Sequence, residues 1–528
     1  MRNFESPGRS AAYATNGMAA TSHPRATLAA LDVLRSGGNA VDAAVAAAAV
    51  LAVVEPAMTG IGGDCFVLYA PAGGDILAYN GSGRAPFAAT TGWYLDQGIT
   101  AIGAETVHAV TVPGAVDAWA RLVADHGTCE FGALLADAID IAEEGFPVTP
   151  RVAFDWKRFE AKLANNAVAA GLFLDSGRAF AAGDRFRNPA LAATLRVIAE
   201  KGADGFYKGP VAAAMTASLN ALGGLHTADD FAAARGDYAE PVSTSYRGYE
   251  VLECPPNGQG FVALIMLNIL EGFDLAALDP DGAERLHLEI EAGRLAFADR
   301  DRYVRDHIPS RDGLDPFLTR DYAAARHRLI DPDRAMAPDA AVSLRPQSNT
   351  TYLTVVDRDA NAVSFINSLF QAFGSGIACA ETGVMFQNRG FGFTLDEASA
   401  NAIGPGKRPV HTIMPGMLAR NGRAEMPFGV MGGQYQPFGH THLLTNIIDY
   451  GMDPQAALEN PRLFHQLGKV EAESGISAET VRGLEAMGHV VVPTVAPHGG
   501  GQAIRIDWER GVLIGGSDPR KDGCALGY

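Results

Sequence analysis

Residues 43–54 form an unbroken run of alanine, valine and leucine without a single charge. The run is too short to span a bilayer, which takes about 20 apolar residues. A helix that is apolar all round has to be buried on most sides. The stretch opened by Asp42 and closed by Glu55-Pro56 is therefore expected to be a helix lying against a sheet. Ahead of it, 24–35 carries Leu28, Leu31 and Leu34 at helical spacing, and Ser36-Gly37-Gly38-Asn39 ends that helix. The sheet can be read further along. Segments 65–69, 75–79 and 251–254 have strand character. Beyond residue 350 alternation dominates, with 351–357 and 362–370 joined by the tight-turn composition Arg358-Asp359-Ala360-Asn361. A strand ending in Asn388-Arg389-Gly390 follows, and two more cover 502–507 and 511–515. Residues 1–23 read as an extended arm, 111–235 as mostly helical, and 261–270 as an apolar helix. Residues 285–305 read as an exposed amphipathic helix, and 306–349 as a Pro- and charge-rich mobile segment.

At 528 residues the chain predicts two to four structural units or one large α/β body. A net charge of -18 argues against nucleic acid or an anionic membrane as partner and serves solubility. The five cysteines are widely spaced and form no CxxC pair, which gives no zinc pattern and fits a reducing compartment. The N-terminus lacks the apolar stretch of a signal peptide, so a cytoplasmic location is expected. The glycine-rich run Thr59-Gly60-Ile61-Gly62-Gly63-Asp64 leads into a strand instead of following one into a helix. That order is wrong for a phosphate cradle and favours close backbone packing.

The chemistry concentrates at Ser348-Asn349-Thr350-Thr351-Tyr352. The strand that follows alternates, with Tyr352, Thr354 and Val356 on one face and Leu353 and Val355 on the other. Paired threonines at its head fit β-propensity alone. They also fit a cut before Thr350, which would put a hydroxyl nucleophile and a free α-amine on one residue. That amine has an ordinary pKa of about 7.7–8.0, suited to a general base at neutral pH, and a threonine activated by its own amine is a working substitute for a Ser-His pair. Further on, Gly429-Val430-Met431-Gly432-Gly433 opens a helix expected from about 437 to 450. Its adjacent amides could face an oxyanion or simply turn the chain.

Taken together, the motifs resemble the γ-glutamyltransferase (glutathione hydrolase) family of N-terminal-nucleophile hydrolases over nearly the whole chain. The carriers are Ser36-Gly37-Gly38-Asn39-Ala40-Val41-Asp42-Ala43, Thr59-Gly60-Ile61-Gly62-Gly63, Val112-Pro113-Gly114 and Ala142-Glu143-Glu144-Gly145-Phe146-Pro147. They continue with Pro255-Pro256-Asn257-Gly258-Gln259-Gly260, the run from Asn401 through Gly404-Pro405-Gly406-Lys407-Arg408-Pro409, Tyr450-Gly451-Met452 and Ser517-Asp518-Pro519-Arg520. The resemblance implies an α+β, four-layer αββα sandwich. It implies a proenzyme that cuts itself between Asn349 and Thr350 into a large subunit, 1–349, and a small subunit, 350–528, which together form one body. Thr350 is then the nucleophile, Ser368 the supporting hydroxyl, and Gly432 and Gly433 the oxyanion glycines. No metal and no cofactor are expected, and a dimer of processed protomers is the family-level expectation.

The chain departs from the family where a γ-glutamyl group would be held. The carboxylate-clamping Arg aligns with Ser82, two residues before Arg84. The family Asn after the supporting hydroxyl is Phe370, the acidic residue that takes the α-amine falls at Gly392 beside Arg389, and the paired serines become His411 and Thr412. The lid segment, 394–400, is shorter. Retained chemistry with added Arg389 and Arg84 favours a small-molecule amide whose acyl group is negative and carries no amine, as in oxamate-type amidohydrolases or glutaryl (cephalosporin) acylases. His411 reads equally as a core histidine or a substrate contact, and Arg389 as a substrate contact or a structural hub. A true glutathione hydrolase/γ-glutamyl transpeptidase and an uncleaved binding protein are the alternatives.

Overall fold

The computed structural model describes residues 8–303, 313–337 and 350–528. Two seven-stranded antiparallel sheets face each other. In spatial order the first comprises Ala12–Ala14, Val512–Ser517, Gly500–Asp507, Arg423–Met431, Gly416–Arg420, Tyr249–Glu253 and Val242–Tyr246. The second comprises Cys524–Gly527, Met18–Thr21, Thr351–Val356, Ala362–Ser368, Asp64–Ala70, Leu77–Gly81 and Asp237–Ala239.

Alternation along each strand sorts side chains into three apolar layers. Tyr352, Val356, Ile366, Phe66 and Leu68 meet Leu252, Met417, Met431 and Ile504 between the sheets. Leu353, Val355, Val363 and Phe365 turn outward onto the helix Ala40–Val54. On the opposite outer face, Val251, Leu418, Phe428 and Val430 lie under the helices Gly260–Leu270, Ala283–Tyr303 and Gln436–Ile448. The result is an αββα sandwich, and the two faces expected of the Thr351–Val356 strand fall in different layers. Tyr352 is fully buried, and its hydroxyl is satisfied by Ser364 Oγ at 2.8 Å. An unpaired hydroxyl there would cost about 1–3 kcal/mol.

The helix Ala40–Val54 is buried along its whole length. Asn39 caps it, and Asp42 closes a capping box by accepting from the Asn39 amide at 3.0 Å. Asp42 also accepts from Thr128 Oγ1 at 2.6 Å, so this buried carboxylate is satisfied by hydrogen bonds.

Several sequence readings are corrected. The arm at 1–23 contributes the strands Ala12–Ala14 and Met18–Thr21, one to each sheet. The helix Ala283–Tyr303, expected to be exposed, is largely buried. Its charges are matched internally: Arg285 with Glu289 at 3.3 Å, Arg294 with Glu291 at 2.9 Å, and Asp299 with Arg326. Of the segment expected to be mobile, 313–337 holds the helix Arg320–His327, while 304–312 and 338–349, including Asn349, lie outside the described residues. The strand expected before Asn388 is only a bridge between Ala378 and Met385.

Candidate active site

Thr350 lies at the head of the strand Thr351–Val356 and is 1% exposed. The neighbouring strand, Ala362–Ser368, pairs Thr351 with Asn367. That register sets Ser368 Oγ 3.0 Å from Thr350 Oγ1. Ser368 Oγ also accepts from the Phe370 amide at 2.8 Å. With one lone pair occupied, the Ser368 hydroxyl can direct its own proton to Thr350 Oγ1, where negative charge would build as that hydroxyl gives up its proton.

The glycine run fixes this strand end. A Cβ on Gly63 would lie 2.3 Å from the Ser368 carbonyl oxygen, and one on Gly62 would lie 2.1 Å from the Met385 carbonyl oxygen. Asn367 Nδ2 donates to Thr59 Oγ1 at 2.7 Å and to the Gly60 carbonyl at 3.2 Å, while Trp119 Nε1 donates to Asn367 Oδ1 at 3.2 Å. The run therefore packs backbone against backbone behind the Thr350–Ser368 pair.

Gly432 and Gly433 turn the chain from the strand Arg423–Met431 into the helix Gln436–Ile448, with φ of +127° and +60°. Both angles favour glycine. Gln259 Nε2 donates to the carbonyls of Gly433, at 2.9 Å, and Thr412, at 3.0 Å, and its Oε1 accepts from Arg300 Nη1 at 2.9 Å. Sequence reasoning missed the Arg300–Gln259 brace, although Gln259 lies inside one of the motifs that carry the resemblance. Thr350 and Gly432 line one cleft, and its wall includes Arg151, Arg158 and Lys521. These three were also missed. Arg151 is matched by Asp155 at 2.7 Å. Arg158 is exposed, beside the rings of Phe154 and Phe159. Lys521 is buried, and desolvation followed by the nearby Arg151 charge pulls its pKa down, against Asp155 and Glu55.

A second group lies beyond Phe370. The Arg389 guanidinium stacks 4.0 Å from the Phe370 ring centroid and donates through Nη1 to Thr412 Oγ1 at 2.9 Å. It is fully buried, and its Nε and Nη2 have no partner among the described residues. Burial pulls its pKa down to about 9, against the pull of Asp64. His411 Nε2 meets Asp64 Oδ2 at 2.9 Å, its Nδ1 accepts from the Ile413 amide at 3.4 Å, and its ring stacks on Phe66 at 4.6 Å. Burial, then Arg389, depress its pKa to about 3, so it is neutral at working pH with both nitrogens engaged inside the protein. Asp64 also accepts from the Gly83 amide and from Gln387 Nε2, each at 2.8 Å. Arg84 is not brought to the Thr350 cleft; it is half-exposed and pairs with Asp237 at 3.3 Å.

The site thus collects a threonine hydroxyl, a supporting serine, a positive-φ Gly-Gly turn and a basic wall. The Gamma-glutamyltranspeptidase family profile matches residues 26–528. The chain belongs to this family. Members are proenzymes of the threonine-nucleophile amide hydrolase/transferase kind, and so is this chain. The chain is 38% identical to the glutathione hydrolase-like YwrD proenzyme of Bacillus subtilis, over 97% of this chain and 98% of that one. It is 34% identical to the oxamate amidohydrolase proenzyme of Klebsiella pneumoniae, over 97% and 99%. Its fold matches the crystal structure of cephalosporin acylase from Bacillus halodurans with a TM-score of 0.93 and 40% identity, over 100% and 99%. Among the described residues no helix is long and apolar enough to cross a membrane.

Proposed function

We propose that Thr350 is the nucleophile of a self-processing amidohydrolase whose acyl substrate carries a negative charge and no α-amine. The observation that carries this reading is Thr350 Oγ1 held 3.0 Å from Ser368 Oγ, with Thr350 and Gly432 lining one cleft with a basic wall. In the precursor, Thr350 Oγ attacks the Asn349 carbonyl carbon. The peptide C–N bond breaks, leaving an ester and a free Thr350 amine. Water then hydrolyses the ester, giving subunits 1–349 and 350–528. In turnover the freed amine takes the Oγ proton as Oγ attacks the substrate amide. The amides of Gly432 and Gly433 stabilise the oxyanion, a role in which one lost donor typically costs about 2.7–4 kcal/mol. The leaving amine departs with the proton, and water, or an acceptor amine, releases the acyl group from Thr350.

The charge preference rests on Arg389, a buried guanidinium with two donor nitrogens still to be matched, one stacked ring beyond the Ser368-bonded amide of Phe370. A carboxylate accepts from such a fork in bidentate fashion. Oxamate, named for one relative, and a dicarboxylate monoamide such as a glutaryl amide present that group. A γ-glutamyl substrate adds an α-amine, for which Gly392 offers no acid.

Intact mass spectrometry of purified protein, with N-terminal sequencing of the smaller fragment, tests the nucleophile. A fragment beginning Thr350-Thr351-Tyr352 is expected, and Thr350→Ala is expected to remain one chain without activity. A processed, active Thr350→Ala protein would refute the mechanism. A panel of oxamate, glutaryl-anilide and γ-glutamyl-anilide tests the charge reading, with γ-glutamyl expected to be the poorest.

A further inference from the structure

A second cluster of chemistry-bearing side chains lies apart from the Thr350 cleft. The helix Ala283–Tyr303 places His287 and Glu291 one turn apart. His489, just after the helix Ala478–Ala486, meets them. His287 Nδ1 is 2.8 Å from His489 Nε2, and one ligand atom from each of the three residues lies within 4.8 Å of the others. All three are buried.

The surroundings of these atoms resemble ligand support more than simple packing. His287 Nε2 lies 2.8 Å from the Asp331 carbonyl oxygen. A carbonyl can only accept, so Nε2 carries the proton and Nδ1 presents its lone pair to the cluster. Glu291 Oε2 accepts from the Met336 amide at 2.8 Å and Oε1 from Arg294 at 2.9 Å, which fixes the carboxylate while leaving each oxygen a further lone pair. A histidine whose second nitrogen donates to a backbone carbonyl, beside a hydrogen-bonded carboxylate, is the outer-shell arrangement of metal sites. Two imidazoles and a carboxylate suit a zinc-type ion with water in the fourth position. None of the three residues lines the Thr350 cleft.

We propose that His287, Glu291 and His489 form a structural site for a zinc-type divalent ion, clamping 331–337 onto the helix Ala283–Tyr303. The ion takes the place of the hydrogen bond between the two imidazoles, the His489 proton moving from Nε2 to Nδ1 so that both rings ligate as neutral imidazoles. Through the Asp331 and Met336 contacts it holds the chain leading toward residue 350. Arg294 opposes the added charge, so binding weaker than at a thiolate site is expected. The proposal is independent of the role given to Thr350.

The test uses the full chain, stripped with chelator and titrated with Zn2+ by calorimetry, then with Co2+ by absorption spectroscopy. One ion per chain and a raised Tm are expected. Affinity should fall at least about tenfold in both His489→Ala and Glu291→Gln, the scale on which even outer-shell changes act. Bound Co2+ should show the intense visible band of a tetrahedral N/O site, a readout that needs no variant to fold. Zn2+ binding of equal strength in wild type and variants, no binding at all, or a Co2+ spectrum like that of the aquo ion would each overturn the proposal.

Discussion

Replacing Arg389 with methionine should separate stability from activity. The guanidinium is buried, donates one hydrogen bond to Thr412 Oγ1, stacks on Phe370 and leaves Nε and Nη2 unmatched. Losing the charged hydrogen bond costs about 1.5–3 kcal/mol, and losing a desolvated cation–π contact about 2 kcal/mol. Against this, two buried donors without partners are removed at about 1–3 kcal/mol each, and the desolvation of the charge goes with them. Methionine keeps an apolar stem against the Phe370 ring. Replacing buried charges with apolar residues is often neutral or stabilising by about 1–4 kcal/mol, so a net gain of about 1–2 kcal/mol is expected. Unfolding entropy near 2.1 cal/mol/K per residue, over 528 residues, makes this a rise in Tm of only about 1–2 °C. Activity should move much further. Leaving a substrate carboxylate unpaired in a buried site costs about 3–5 kcal/mol, or roughly 150- to 5,000-fold in kcat/KM at 1.36 kcal/mol per tenfold. Calorimetry and initial rates on a glutaryl-anilide and a neutral acetyl-anilide measure both effects. A lowered Tm with parallel losses on the two substrates would refute the reasoning and make Arg389 a packing hub.

Three other perturbations have defined outcomes. Ser368→Ala removes the oxygen that contacts Thr350 Oγ1 and the Phe370 amide; at about 1.5–3 kcal/mol for a hydrogen bond to a developing charge, processing should slow roughly 10- to 200-fold by timed gel analysis. Gly62→Ala would set a Cβ 2.1 Å from the Met385 carbonyl oxygen, so soluble yield and Tm should both fall, and a variant with unchanged Tm would contradict the close packing. His23 and His226, ordinarily near 6.5, are each held at about 4, chiefly by burial. Between those values the unfolded chain binds protons that the folded one refuses, so their contribution to stability is complete above about 6.5 and is lost as pH falls toward 4. Urea midpoints from pH 7.5 to 4.5 should decline, with a shallower slope in His226→Leu, and a flat wild-type profile would contradict it.

Local pattern exposed most of the frame. The run at 43–54 gave away its helix and the sheet beneath it, because alanine without charge leaves no other soluble solution. Alternation after Thr350 assigned Tyr352 and Leu353 to opposite faces, as found in the sheets. What escaped were contacts between residues far apart in sequence. Nothing in the charged stretch from 285 to 305 announces that Arg300 reaches Gln259, or that Arg285 and Glu289 satisfy one another in a buried helix. His411 could be read two ways until Asp64, Ile413 and Phe66 were seen around it. Arg84 carried no local sign that Asp237 would draw it to the surface. The basic wall of Arg151 and Lys521 joins residues about 370 positions apart, which no window of sequence contains.

The order of strands in the second sheet has a consequence for assembly. Thr351–Val356 and Ala362–Ser368 are flanked by Met18–Thr21 and Asp64–Ala70, and Cys524–Gly527 closes the far edge against Met18–Thr21. A cut before Thr350 would therefore leave two polypeptides laced through one hydrogen-bonded ladder, unable to part without dismantling the core. Forming that ladder from one chain is a first-order event whose rate ignores concentration. Forming it from two separate chains is second-order and exposes open strand edges while the partners search. A cleaved protein, once unfolded, would thus refold more slowly the more it is diluted, whereas its precursor would not. Cutting late makes folding a one-time act, and the mature molecule lasts by staying closed rather than by reassembling.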